Sequence, residues 1–216
     1  MIVYGRNAVR EARRGRRRVL SVWERGEVAD EELERLCGSP DHQGIVAEVE
    51  PYPYVDSASL LAPEDSLVVA LDQVQDPQNL GAICRSAEGA GATGVVIPAR
   101  GGVQVTPAVC RASAGAVEHL AIARVRNVAD FLGESKRAGA WIYGAEAAAP
   151  MVHWAPDYRG KVVVVLGSEG RGLRPRVRAS CDLLVALPLR GRLESLNVAA
   201  TAAALLYEIV RQRTES

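Results

Sequence analysis

The chain has 216 residues, of which 48% are hydrophobic, and 26 basic residues balance 26 acidic ones. That length suits one α/β domain of roughly 150 residues with a small extra module, and zero net charge excludes a uniformly basic magnet for nucleic acid. No apolar run approaches the roughly 20 residues of a membrane span, and no apolar core follows the charges of the first residues, so a soluble, cytoplasmic protein is expected.

Residues 1 to 50 read as a small mixed unit. A short helix is expected over Asn7–Arg14, a strand over Val19–Trp23, a helix over Asp30–Cys37 capped by Asp30, and an alternating strand over His42–Glu50. Such a unit is barely large enough to bury its own core. Arg6, Arg10, Arg13, Arg14, Arg16, Arg17, Arg18 and Arg25 crowd the first 26 residues against Glu11 and Glu24. Pro51-Tyr52-Pro53 marks the exit, and residues 51–65 read as a linker.

From Leu67 strands and helices alternate. Strands are expected at Leu67–Leu71, Gly94–Pro98, Leu120–Val125, Ala140–Gly144, Val162–Leu166 and Asp182–Leu187. Helices are expected from Asp76-Pro77 to about Ala90, from Thr106-Pro107 to about Glu118, from Asn127 to Gly139, over Leu173–Ser180, and from Ser195, as N-cap, to Arg211. The segment with Met151, His153 and Trp154 reads as a loop. This alternation predicts a parallel sheet flanked by helices over residues 66–216.

Three stretches carry polar groups where an α/β fold places ligands. In Leu71–Gly91, Leu80, Ile83, Cys84 and Ala87 form the inward stripe, Asn79 lies in the first turn, and Arg85 points about 120° away from it. Gly81 and Gly89 imply close packing. In Lys161–Leu173 a buried strand breaks into Gly167-Ser168-Glu169-Gly170-Arg171-Gly172. This is neither a P-loop nor a GxGxxG turn, and Glu169 would repel a pyrophosphate, which favours a neutral or cationic ligand such as adenine or a sulfonium. In Leu187–Tyr207 a basic loop leads to Ser195 and Asn197 at the start of an alanine-rich helix. The four cysteines form no CxxC pair and the three histidines are scattered, so no metal is expected.

Together and in this order, Asn79–Ser86 (NLGAICRS), Leu166–Leu173 (LGSEGRGL) and Leu187-Pro188-Leu189 with Ser195–Val198 resemble the three motifs of the SpoU (TrmH-like) branch of the SPOUT RNA methyltransferases. His42–Val49 (HQGIVAEV) and Arg111–Leu120 add to the match. The resemblance implies a parallel sheet with a C-terminal deep trefoil knot, a shortened L30e-like RNA-binding module at residues 1–50, and a homodimer. It implies S-adenosylmethionine as cofactor and 2′-O-methylation of a ribose, at a guanosine of 23S rRNA or alternatively in tRNA. By position it makes Asn79, Arg85, Glu169, Ser195 and Asn197 the catalytic set. The cofactor would lie against Gly144, Ala145, Glu146, Leu166, Gly167, Gly170, Leu187, Leu189 and Leu196. RNA would meet Arg6, Arg13, Arg16, Arg17, Arg18, His42 and Gln43. Leu187 and Leu189 stand where isoleucine and methionine are common in the family. A non-catalytic RNA-binding assembly factor is the alternative from another class; a dinucleotide oxidoreductase is disfavoured by the missing GxGxxG.

Overall fold

The structure, a computed structural model, describes residues 1–215. Strands β1 (Ile2–Tyr4), β2 (Val19–Glu24) and β3 (Ile45–Val49) form an antiparallel sheet with β3 in the middle. Helix α1 (Arg6–Arg14) follows β1 through Gly5, whose φ of 91° suits glycine. Helix α2 (Asp30–Cys37) begins with Asp30 as its first residue. Its N-cap is Ala29, not Asp30 as expected, and three acidic residues in its first turn complement the helix dipole instead.

This first unit does not keep a core to itself. Only Tyr4, Leu33 and Val46 form a separate buried cluster. Val3, Ala8, Val9, Ala12, Ala47 and Val49 join the main core of the chain. A unit this small gains more by burying its apolar face against a larger neighbour.

The second sheet has seven strands. They are β4 (Leu67–Asp72), β5 (Gly94–Pro98), β6 (Ile122–Val125), β7 (Trp141–Ala145), β8 (Met151–Val152), β9 (Val162–Gly167) and β10 (Leu183–Ala186). Their order is β6-β5-β4-β9-β7-β10-β8, and every registered pair is parallel. The segment expected to be a loop thus contributes a two-residue edge strand, β8. The valine-rich β4 and β9 are buried on both faces, as central parallel strands are. Leu67, Val69, Leu71, Val162, Val164 and Leu166 face one core, and Val68, Ala70, Val163 and Val165 face the other.

Helices α3 (Pro77–Gly89), α4 (Pro107–Ala112) and α7 (Val198–Thr214) cover the first face, and α5 (Val128–Arg137) and α6 (Pro175–Ala179) the second. Asp76, Thr106 and Asn127 each cap a helix through the side chain. At Gly81 a Cβ would lie 2.4 Å from Ala112 Cβ, so α3 and α4 touch there. Helix α4 ends earlier than expected, because Ala114 (φ 52°) and Gly115 (φ 89°) turn the chain left-handed. No helix among the described residues is long and apolar enough to cross a membrane.

Candidate active site

Register decides where the polar groups meet. Strands β4 and β9 run side by side and in step, with Leu71 opposite Leu166 and Asp72 opposite Gly167. Both strands therefore leave the sheet at the same end, the carboxyl ends where open α/β proteins bind ligands.

The turn after β9 is held tightly. Gly172 N donates to Ser168 O at 2.9 Å. A Cβ on Gly167 would lie 2.2 Å from the Gly172 carbonyl carbon, so only glycine lets the two backbones approach. Gly170 and Gly172 adopt φ of 77° and 65°. The fully buried Asp72 anchors the far side, accepting from Arg174 N at 2.8 Å and Arg174 Nε at 2.6 Å. Sequence reasoning missed Asp72 and Arg174; an acidic residue closing an otherwise apolar buried strand was the available signal.

So anchored, the turn carries Glu169 over the first turn of α3. Glu169 Oε1 accepts from Asn79 Nδ2 at 2.8 Å and from Asn197 Nδ2 at 2.8 Å. Asn197 Nδ2 also donates to Asn79 Oδ1 at 2.9 Å. Asn197 Oδ1 accepts from Ala199 N at 2.9 Å and Ala200 N at 3.3 Å. One amide thus caps α7 with its oxygen and joins the site with its nitrogen, which fixes its orientation. Asn197, not Ser195 as expected, is the N-cap of α7. Among the described residues only one Glu169 oxygen is engaged, which leaves the other for a ligand.

Beside this triangle lies a cavity of about 730 Å³, within the roughly 300–1,000 Å³ of small-ligand clefts. Ala145 and Glu146 line it from the end of β7, and Leu166, Gly167 and Gly170 from β9 and its turn. Leu187, Leu189 and Leu196 close it from the segment between β10 and α7, and Ser195 lies on the same wall. Gly144 does not reach it. A Cβ there would sit 2.8 Å from Cys181 Sγ and Leu184 Cδ2, so Gly144 serves packing between β7 and its neighbours. The charged lining is three carboxylates, Glu146, Glu169 and Glu194, against one guanidinium, Arg171. Arg178 Nε donates to Glu146 at 2.7 Å. Apolar walls, approachable backbone and a carboxylate excess suit a neutral ring and a cation better than a polyphosphate.

Arg85 stands apart from this constellation. It is exposed on α3, lines neither this cavity nor the polar triangle, and makes no side-chain hydrogen bond or ion pair among the described residues.

The arginines of the first unit divide. Arg6, Arg13, Arg16 and Arg18 are exposed. Arg6 N donates to Gln43 Oε1 at 3.0 Å, Arg13 pairs with Glu24 at 3.0 Å, and Arg16 Nη2 reaches His119 O at 3.3 Å. Gln43 is exposed beside Arg6. Arg17 departs from the expected RNA contact. It is 4% exposed, donates through Nε to Glu118 at 2.9 Å and through Nη2 to the same carboxylate, and lies over the Tyr52 ring. Its charge is spent inside the protein, where it ties the first unit to the second. His42 departs likewise: it is 5% exposed and its Nδ1 accepts from Gly44 N at 3.1 Å. No cluster of three His, Cys, Asp or Glu side chains suited to a metal occurs among the described residues.

Residues 66–207 match the model of the SpoU rRNA Methylase family, and residues 24–55 match that of the RNA 2′-O ribose methyltransferase substrate binding family. The Bacillus subtilis TrmH family protein YacO is 41% identical over 177 residues, covering 80% of this chain and 71% of its own. The solved structure of the SpoU methyltransferase AviRb from Streptomyces viridochromogenes in complex with AdoMet superposes with a TM-score of 0.84. It is 27% identical and the match covers 100% of this chain and 91% of that one. A structure described for 2-OH methylation of C/U34 on tRNA has a TM-score of 0.64 at 27% identity, covering 70% of this chain and 99% of its own.

Proposed function

The chain belongs to the SpoU rRNA methylase family, and from that premise we propose that it methylates the 2′-hydroxyl of a ribose in ribosomal RNA, with S-adenosylmethionine as donor. The fold is the family's parallel sheet with its C-terminal trefoil knot. The observation that carries the reading is the Asn79–Glu169–Asn197 triangle at the mouth of an apolar, carboxylate-rich cavity.

The cavity fits the cofactor. The leucine walls suit an adenine, the bare backbone at Gly167 lets polar ring edges reach main-chain groups, and the excess of carboxylates favours a cation. When bound, the cofactor supplies an electrophilic methyl group. The protein's part is to orient the ribose and to favour negative charge on its 2′-oxygen. Glu169, fixed by two amides, offers its open oxygen as acceptor to a ribose hydroxyl. Asn79 keeps one amide hydrogen unspent beside it. A guanidinium offers donors and no acceptor, so Arg85 acts by stabilising the developing alkoxide, not by accepting its proton. Its exposure and lack of partners on α3 agree with a site completed by a second protomer, as the family resemblance implies.

Ribosomal RNA is favoured over tRNA because the family whose model matches residues 66–207 is described as rRNA methylases. The structure described for methylation of C/U34 on tRNA covers 70% of this chain. Arg6, Arg13, Arg16 and Arg18 would hold phosphates, which gives affinity without sequence information. Ribose-methylation mapping of total RNA from a strain lacking the gene tests the substrate class. One methyl missing from 23S rRNA is expected; one missing from tRNA alone would transfer the reading to tRNA.

A further inference from the structure

We propose that a second cavity, on the far side of the Asn79–Glu169 bond, receives the base of the target nucleotide, and that Gln73 and Gln75 read its hydrogen-bonding edge. The assignment rests on RNA ribose as the methyl acceptor.

The cavity measures about 530 Å³. Ser168, Glu169, Arg171 and Val198 line both cavities. The second adds Gln73, Val74, Gln75, Asp76 and Asn79. Glu169 is therefore a partition with a different chemistry on each side. The first side adds four leucines and the carboxylates of Glu146 and Glu194. The second adds the amides of Gln73, Gln75 and Asn79 and one carboxylate, Asp76. A ribose held at Glu169, its methyl donor in the first cavity, directs its base to the other side. Base edges present fixed donors and acceptors, and a glutamine amide supplies one of each. Sequence-selective RNA recognition depends on bases splayed out in this way.

The segment bearing the glutamines is fixed before any ligand arrives. Asp72, immediately before it, is locked to Arg174. Val103 N donates to Val74 O at 3.0 Å. Asp76 Oδ1 caps α3 by accepting from Gln78 N at 2.8 Å. Gln73 itself has φ of 65°, a conformation uncommon outside glycine and costly to hold without a purpose. Yet neither the Gln73 nor the Gln75 amide has a hydrogen-bond partner among the described residues. A rigid segment thus presents two unspent amides to a cavity that adjoins the reacting group. Arg171, facing both cavities, is placed for a phosphate of the same nucleotide.

The test uses full-length protein and transcripts of the methylated region with the target nucleotide as A, G, C or U. Gln73→Gly removes the amide and keeps the left-handed backbone without strain; Gln73→Asn keeps an amide and tolerates that conformation; Gln75→Ala removes the second amide. Wild-type protein is expected to prefer one base by roughly 5- to 150-fold in kcat/KM, the range of a bidentate base contact. Gln73→Gly and Gln75→Ala should narrow that preference to about threefold or less, with Gln73→Asn intermediate. Their affinity for S-adenosylhomocysteine should stay within about twofold of wild type. Unchanged base preference in both amide-free variants would overturn the subsite and leave the methylation reading standing. Lack of transfer by wild-type protein to total ribosomal or transfer RNA from the gene-deletion strain would overturn that reading itself.

Discussion

Asn79 and Glu169 lie 90 residues apart in sequence and are joined by a 2.8 Å hydrogen bond. Asn197 binds both of them. The three motifs thus converge on one carboxylate oxygen, and the same Asn197 starts the final helix. The residue that starts the last helix is therefore also the one that completes the polar triangle.

Asn197 can be tested in two parts. Asn197→Ser keeps a capping oxygen for α7 and loses the amide bonds to Asn79 and Glu169. Stability should fall by less than about 1 kcal/mol, while methyl transfer falls at least roughly tenfold. Asn197→Ala loses the cap as well and should cost about 1 kcal/mol more. Chemical denaturation and single-turnover transfer separate the two effects. Equal activity of Asn197→Ser and wild type would mean that the triangle is a cap and nothing more.

Gly167→Ala should disable cofactor binding. Its Cβ would collide with backbone at 2.2 Å, and no side-chain rotation relieves such a contact. A destabilisation of roughly 1–3 kcal/mol follows from overpacking, with S-adenosylmethionine affinity reduced at least tenfold by calorimetry. Gly144→Ala, whose Cβ would meet side chains instead, should destabilise with a smaller effect on affinity.

The Arg17–Glu118 pair should matter for stability. Both side chains are 1% exposed. Burial works against the Arg17 charge, but the Glu118 hydrogen bond and charge outweigh it and hold the guanidinium protonated above its ordinary range. Arg17→Met strands a buried carboxylate and should cost roughly 3–5 kcal/mol; adding Glu118→Leu should recover much of that. Arg13, Arg16 and Arg18 are exposed, and each alanine replacement should lower the salt dependence of RNA binding without affecting stability. Removing residues 1–50 outright is a poor probe of RNA binding, because it would strip Val3, Val9 and Val49 from the main core.

The cysteines should react unequally. Burial raises the thiols of Cys84 and Cys110, the latter to about 11, and raises Cys181 to about 12. A raised pKa leaves less thiolate at pH 8, so alkylation of native protein should label Cys37 first. Fast labelling of Cys84 would indicate that the core under α3 opens.

Local signals made much of this legible. Asp76-Pro77 and Thr106-Pro107 marked helix starts because capping is a short-range effect. The valine run of β9 and the glycines after it marked the strand end that lines the cavity. What escaped notice depends on distant partners. Ile2–Tyr4 is too short for a period to show, and becomes a strand by pairing with β3. Arg17 looked like its exposed neighbours, since its partner Glu118 is 101 residues away. Ser195 and Asn197 are both good caps; contacts with Asn79 and Glu169 favour Asn197.

Arg85→Ala should abolish transfer and leave folding and cofactor affinity nearly unchanged, because the side chain is exposed and makes no hydrogen bond or ion pair among the described residues. Transfer at a near-normal rate would remove Arg85 from the reaction.

The most direct measurement is transfer from S-adenosylmethionine carrying a trideuterated methyl group. Purified protein would act on RNA from the gene-deletion strain, followed by nuclease digestion and mass spectrometry of the nucleosides. Ribose methylation predicts the label on the ribose of one 2′-O-methyl nucleoside, with none gained by Glu169→Gln protein. Label on a base, or RNA left unlabelled by wild-type protein that binds the cofactor, would contradict it.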